Sequence, residues 1–154
     1  MRFIEGNLIN LALAGEYNVI IHECDCFHGM KSAINQHIIA RFPDVKKIDD
    51  RTPYGDESKL GTINYYKDDS GLYIVNAYTQ IKPGPFIRYD ALESCFHSIK
   101  TQFTGLTFGI PQIGGRCCSD WNIINGIIKY CMKGEKIEVV VKNLSETEWD
   151  FLKK

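Results

Sequence analysis

Short apolar runs alternate along this chain with segments whose apolar residues recur every three or four positions. The short runs predict strands at 1–5, 19–22, 61–66, 72–78, 106–110 and 137–141. The helical spacing predicts helices at 7–14, 32–41, 89–103 and 121–132, and a capping-box pattern at 145–148 opens a last one. Strands that alternate with helices, with a hairpin turn at 68–71, predict a mixed sheet covered by helices on both faces.

Two stretches have no regular pattern, and we interpret them as loops. The polar stretch 46–59 contains Pro53 and Gly55, and the stretch 81–87 contains Pro83 and Pro85.

Length, charge and cysteine content narrow the class of protein. The 154 residues predict one domain spanning 1–154. A net charge of -1 with scattered basic residues argues against nucleic acid or a membrane surface as the main partner. We find neither a signal-peptide pattern nor an apolar run of membrane-spanning length. The six cysteines are most simply reduced thiols, so we expect a cytoplasmic protein.

Two loops have the layout of a phosphate site, since each follows an apolar run and leads into a helix. The first loop, 24–34, reads Cys-Asp-Cys-Phe-His-Gly-Met-Lys-Ser-Ala-Ile. The second loop, 109–121, reads Gly-Ile-Pro-Gln-Ile-Gly-Gly-Arg-Cys-Cys-Ser-Asp-Trp. A ligand is therefore expected where these two loops meet.

The order of these motifs resembles the macro domain family, most of all the small bacterial and phage proteins described as ADP-ribose 1″-phosphate phosphatase-like. The similar segments are 5–9, 24–27, 55–62, 73–80, 89–92, 110–114 and 120–121. The resemblance implies a three-layer α/β/α macro domain with a mixed central sheet and a cleft for ADP-ribose. It also implies action inside the host cytoplasm if the chain is phage-encoded.

Near the start, the family has an acidic residue that holds the amino group of adenine, and here Asn7 occupies that place. An amide oxygen accepts such a bond about half as strongly as a carboxylate. Asn7 either keeps this contact or only caps the following helix. Tyr78 and Phe86 are candidates for stacking on the adenine or ribose.

The first loop departs from the family at its tip. Asp25 stands where the family usually has asparagine, and Lys31 and Ala33 replace two glycines on either side of Ser32. Asp25 adds a negative charge near a site for a doubly charged ligand, which Lys31 could offset by holding a phosphate. The new Cβ atoms reshape the loop or fill space that the ribose would use.

The second loop is one residue shorter than in the family. Gly114 and Gly115 remain, and Arg116 falls where the diphosphate would pass, to grip it or to fill the cleft. The resemblance implies a catalytic aspartate in this loop for some relatives. Here Cys117 or Cys118 falls nearest to that place.

The catalytic candidates are His28, as general base or phosphate nucleophile, Cys117, as a thiolate at a helix N-terminus, and Asp120. Asp120 has a simpler role as a helix cap. The spacing of Cys24, Cys26, Cys117 and Cys118 fits a zinc site poorly, so we expect no metal and no cofactor. His22, at the end of a buried run, reads as a core histidine.

Three functions remain open at this point. The first is an enzyme acting on ADP-ribose or a derivative, with phosphate removal from ADP-ribose 1″-phosphate ahead of ADP-ribosyl hydrolysis. The second is a module that binds ADP-ribose without turnover. The third is a degenerate macro domain with a closed cleft that binds a protein partner.

Overall fold

The computed structural model describes residues 1–84, 86–114 and 120–142. Strands and α-helices alternate through this part of the chain, as predicted. They are β1 (Arg2–Glu5), α1 (Leu8–Leu13), β2 (Val19–Asp25), α2 (Ala33–Arg41), α3 (Pro43–Asp50), β3 (Ile63–Lys67), β4 (Tyr73–Gln80), α4 (Tyr89–Phe103), β5 (Thr107–Ile110), α5 (Trp121–Cys131) and β6 (Lys136–Val141). A 3₁₀ turn covers Glu57–Lys59. The helix predicted to open at 145–148 lies outside the described residues.

The strands form one mixed sheet in the order β1-β6-β5-β2-β4-β3. Neighbouring strands run parallel, except that β3 pairs with β4 as an antiparallel hairpin. The hairpin turn is held by Asp68, whose Oδ1 accepts from the backbone N–H groups of Ser70 (3.0 Å) and Leu72 (2.9 Å). The carboxyl ends of β1, β6, β5, β2 and β4 therefore share one edge of the sheet, which we call the carboxyl edge.

Helices cover both faces, so the three-layer arrangement is confirmed. Alternate residues of β2 face opposite layers because side chains along a strand alternate in direction. Val19 and Ile21 join the core under α4 and α5, while Ile20 and Cys24 join the core under α1, α2 and α3. Gly109 in β5 allows close packing, because a Cβ there would lie 2.5 Å from the Tyr17 ring.

The prediction of a surface loop at 46–59 is wrong for its first part, because α3 continues to Asp50. Pro43 ends α2, as predicted, but also occupies the first turn of α3, where its missing N–H costs nothing. The inward face of α3 consists of Val45 and Asp49, both 0% exposed. Because most residues of this helix are charged, the sequence shows no apolar pattern there. Lys46 pairs with Asp50 one turn later on the outer side.

β2 is longer than predicted and runs three residues past His22, to Asp25. Glu23 and Asp25 are polar, so the apolar run stops before the strand does. Glu23 and Asp25 therefore lie at the carboxyl edge, in the last residues of β2. No helix in the described ranges has the length and apolar character needed to cross a membrane.

Candidate functional site

A cleft of about 310 Å³ opens at the carboxyl edge, beyond β1, β6 and β5. Its described lining is the chain after β1, the start of α2, the chain after β5 and the end of β6: Gly6, Asn7, Leu8, Ile9, Ala33, Ile34, His37, Pro111, Gln112, Val140, Val141 and Lys142. This lining contains no carboxylate. Ligands of open α/β sheets bind at this edge, so the place fits the sequence prediction.

From the sequence we expect Asn7, Asp25, Lys31, Ser32 and Ala33 at the ligand, and of these Asn7 and Ala33 lie in the described lining. Asn7 also caps α1, because its Oδ1 accepts from the backbone N–H of Asn10 at 3.0 Å. Ala33 begins α2, and the cap of that helix is Ser32, whose Oγ accepts from Asn35 N at 3.2 Å. Within the described chain, the N–H groups of Ala33 and Ile34 have no acceptor. They give the cleft two donors at a helix N-terminus.

The first loop is folded around the carboxylate of Asp25, which is 6% exposed. Its Oδ1 accepts from Phe27 N at 2.7 Å and from Gly29 N at 3.2 Å. Only glycine lets the backbone at position 29 come this close to the Asp25 carboxylate, since a Cβ there would lie 2.3 Å from Oδ2 of Asp25. Asp25 thus holds the loop together, while Lys31 is exposed at its tip.

His28 sits in the same loop with a left-handed backbone, at φ 56°. Its Nε2 lies 2.8 Å from the carbonyl oxygen of Thr52, which can only accept. Nε2 therefore carries the proton of the neutral ring, and Nδ1 keeps the free lone pair. The ring packs edge-on against Tyr54. His28 is not among the described residues that line the cleft.

The stacking role considered for Tyr78 is corrected, because its ring is 1% exposed in the core. Its hydroxyl donates to Asp49 Oδ1 at 2.7 Å and accepts from Asn64 at 3.2 Å. Burial raises the pKa of Tyr78 far above its ordinary value of 10.0, and the hydrogen bond to the Asp49 carboxylate adds to the rise. Lys59, also buried, lies over the same ring at 5.3 Å. Phe86, by contrast, is 72% exposed.

His22 is a core histidine, as predicted, with 0% exposure. Its Nδ1 lies 2.7 Å from Asn35 Oδ1, and its Nε2 faces Asn76 Oδ1. This triad ties β2 to α2 and β4, directly behind the first loop. Burial lowers the pKa of His22 from its ordinary 6.5.

Glu23 is a site residue that the sequence analysis missed. It lies at the end of β2, where its Oε1 accepts from Gly114 N at 3.2 Å and its Oε2 from the Thr79 hydroxyl at 3.3 Å. Burial raises the pKa of this carboxyl above its ordinary 4.5, and the two hydrogen bonds oppose the rise. The carboxylate anchors the start of the second loop to the sheet. The one sequence signal for Glu23 was a charged residue directly after the apolar run of β2.

The pKa of Glu23 predicts a pH-dependent stability. Above pH 4.5 the folded protein binds more protons at Glu23 than the unfolded chain does. The free energy of unfolding contributed by this group therefore falls as the pH rises through the folded-state pKa. In urea titrations from about pH 4 to about pH 8, wild type should lose stability relative to Glu23→Gln, whose side chain does not titrate. If the stability of wild type minus that of Glu23→Gln stayed constant or rose with pH, the raised pKa of Glu23 would be contradicted.

Much of the predicted second-loop site, namely Gly115, Arg116, Cys117 and Cys118, lies outside the described residues. Gly114 is described, with φ 86° and its N–H on Glu23. Asp120 caps α5, because its Oδ1 accepts from Asn122 N at 2.9 Å. The capping role considered for Asp120 is thus confirmed, and its catalytic role stays a prediction.

Of the four cysteines considered for a zinc site, the structure describes Cys24 and Cys26, and both are buried thiols. Burial raises the pKa of both Cys24 and Cys26, which keeps them protonated at neutral pH. Cys26 donates to the carbonyl of Gln80 at 3.4 Å. Both side chains therefore act as core groups.

A second cavity, of about 590 Å³, lies at the opposite edge of the sheet, where the strands begin. Glu138 lines it and is already engaged, accepting from the Tyr17 hydroxyl at 2.8 Å and pairing with Arg2 at 3.0 Å. Burial and the bond to Glu138 raise the pKa of Tyr17, so the hydroxyl stays neutral. The loops with the phosphate-site layout are at the other edge, and we place the candidate site there.

Comparison with known proteins gives one relative by sequence. The chain is 32% identical over 150 residues to an uncharacterized 17.5 kDa protein encoded in the tk-vs intergenic region of Enterobacteria phage T4. The match covers 92% of this chain and 94% of the phage protein. No protein-family model matches the chain.

Solved structures match over most of the chain. The macrodomain of Thermus aquaticus DarG superimposes with a TM-score of 0.70 at 18% identity, over 93% of this chain and 97% of that one. Thermosipho africanus DarTG, solved in complex with ADP-ribose, gives a TM-score of 0.67 at 14% identity, over 83% of this chain and 38% of that one. At these identities the likeness establishes the fold.

Proposed function

We propose that the cleft of this chain, which has the macro domain fold and belongs by its sequence to the family of the phage T4 17.5 kDa protein, binds an ADP-ribose-type ligand. The observation that carries the proposal is the cleft itself, open at the carboxyl edge and lined by the N-terminus of α2. The structural likeness to a protein solved with ADP-ribose supports the same ligand.

The size and charge of the cleft suit this ligand. A volume of about 310 Å³ is at the lower end for small-molecule sites, enough for the adenosine half. The N–H groups of Ala33 and Ile34, without an acceptor in the described chain, suit an anion, and Lys31 is exposed two residues before Ala33. Of the side chains that could close the cleft, Lys31 is exposed and does not occur in the described lining, which speaks against the degenerate alternative.

Calorimetric titration with ADP-ribose at low salt tests the proposal. We expect a dissociation constant of about 1–100 µM, weakened several-fold by Lys31→Ala. The matched control is Lys133→Ala, which removes an exposed lysine near the opposite edge. Absence of heat up to millimolar ADP-ribose would refute the proposal, and equal binding by both variants would exclude Lys31 from the site.

The finer prediction, phosphate removal from ADP-ribose 1″-phosphate, depends on His28. Its Nδ1 lone pair suits a general base or a nucleophile. We expect any phosphate release by the wild type to be lost in His28→Ala and kept in His97→Ala, an exposed histidine on α4. Binding without phosphate release would leave the non-catalytic module as the function. A cytoplasmic location stays a prediction.

A further inference from the structure

One side chain in the wall of the cleft carries a polar atom without a partner. Gln112 follows β5 and lines the cleft, and its Oε1 is buried and accepts no hydrogen bond within the described chain. A buried acceptor left unpaired destabilises the folded state. Such atoms are few in native proteins, so this amide calls for a physical explanation.

The other amide of the cleft is already engaged. Asn7 lies in the same lining as Gln112, but its Oδ1 accepts from Asn10 N at 3.0 Å and caps α1. The walls around the two amides are apolar, from Leu8, Ile9 and Val140. A flat apolar slot with a few polar groups is the usual site of a heterocyclic base.

We propose that Gln112 binds the base of an adenine nucleotide in this cleft, the role that position 7 has in the related proteins. The inference rests on the proposed function. Rotation about the side-chain torsions of Gln112 turns Oε1 from the wall into the cleft, where it accepts from the exocyclic amino group of adenine. Ligand binding then satisfies an acceptor that the free protein leaves unpaired, while Asn7 keeps its cap.

The first test separates binding from folding. Gln112→Met keeps the length of the side chain and removes the orphan acceptor. We expect its ADP-ribose affinity to fall at least about tenfold, while its melting temperature stays level or rises by a few degrees. The matched control, Gln102→Met, makes the same substitution at an exposed position near the end of α4, and it should bind ADP-ribose like the wild type.

The second test identifies the group that Gln112 contacts. Gln112→Glu can only accept, so it should raise the preference for ADP-ribose over its hypoxanthine analogue at least about tenfold relative to wild type. The ratio of the two affinities cancels the effect of the added charge on the diphosphate.

The outcomes are distinguishable. If the wild type binds ADP-ribose, but Gln112→Met binds it equally well or Gln102→Met loses as much affinity, this inference fails and the proposed function stands. An unchanged ratio in Gln112→Glu overturns the contact with the amino group. If the wild type binds no ADP-ribose, both fail.

Discussion

We expect His22→Ala to lower the free energy of unfolding by about 3–5 kcal/mol. The substitution removes a fully buried ring and leaves the side-chain amides of Asn35 and Asn76 without their partner. A buried polar group left unpaired costs about 1–3 kcal/mol, and the cavity adds to that. Urea unfolding at pH 7.5 measures the loss.

A matched control uses the same substitution on the surface. The side chain of His97 on α4 is 55% exposed, so His97→Ala should stay within about 0.5 kcal/mol of wild type. A loss below about 1.5 kcal/mol in His22→Ala would mean that the two amides find other partners, and that the triad does not hold β2, α2 and β4 together.

Most of the fold could be predicted because local pattern and tertiary burial agree. Along α4, Leu92, Phe96 and Ile99 recur at helical spacing, and all three are 0% exposed in the core, so the predicted bounds match the helix. α3 was missed because its inward face includes Asp49, a carboxylate. In the fold, β4 brings the Tyr78 hydroxyl to the buried Asp49 carboxylate, a contact that no local pattern contains.

The site was predicted less well, because its residues depend on which hydrogen bonds the fold provides. Asn7 and Ala33 could be placed from the motifs, and both line the cleft. Tyr78 could not, since β4 is buried on both faces from Ile74 to Gln80, and every side chain in that part of the strand is buried. Gln112 was overlooked because a lone polar residue in a loop becomes notable only when its oxygen is found buried and unpaired.

The largest effect on ligand binding is expected from Asp25, in two opposite directions. Asp25→Ala removes the acceptor for the N–H groups of Phe27 and Gly29, so the first loop loses the contacts that fix its shape. ADP-ribose affinity should then fall at least about tenfold, because a displaced loop no longer presents its groups to the ligand. Asp25→Asn keeps an oxygen on the same bonds and removes only the charge.

That charge opposes an anionic ligand. For a phosphate about 10 Å away in a partly screened cleft, one unit charge costs roughly 1–2 kcal/mol. Asp25→Asn should therefore bind ADP-ribose about tenfold more tightly than wild type, and the gain should shrink in about 0.5 M salt. Calorimetry on both variants at two salt concentrations separates the two roles. Unchanged affinity in Asp25→Asn would show that the ligand does not sense the carboxylate, and unchanged affinity in Asp25→Ala would show that the loop keeps its shape without it.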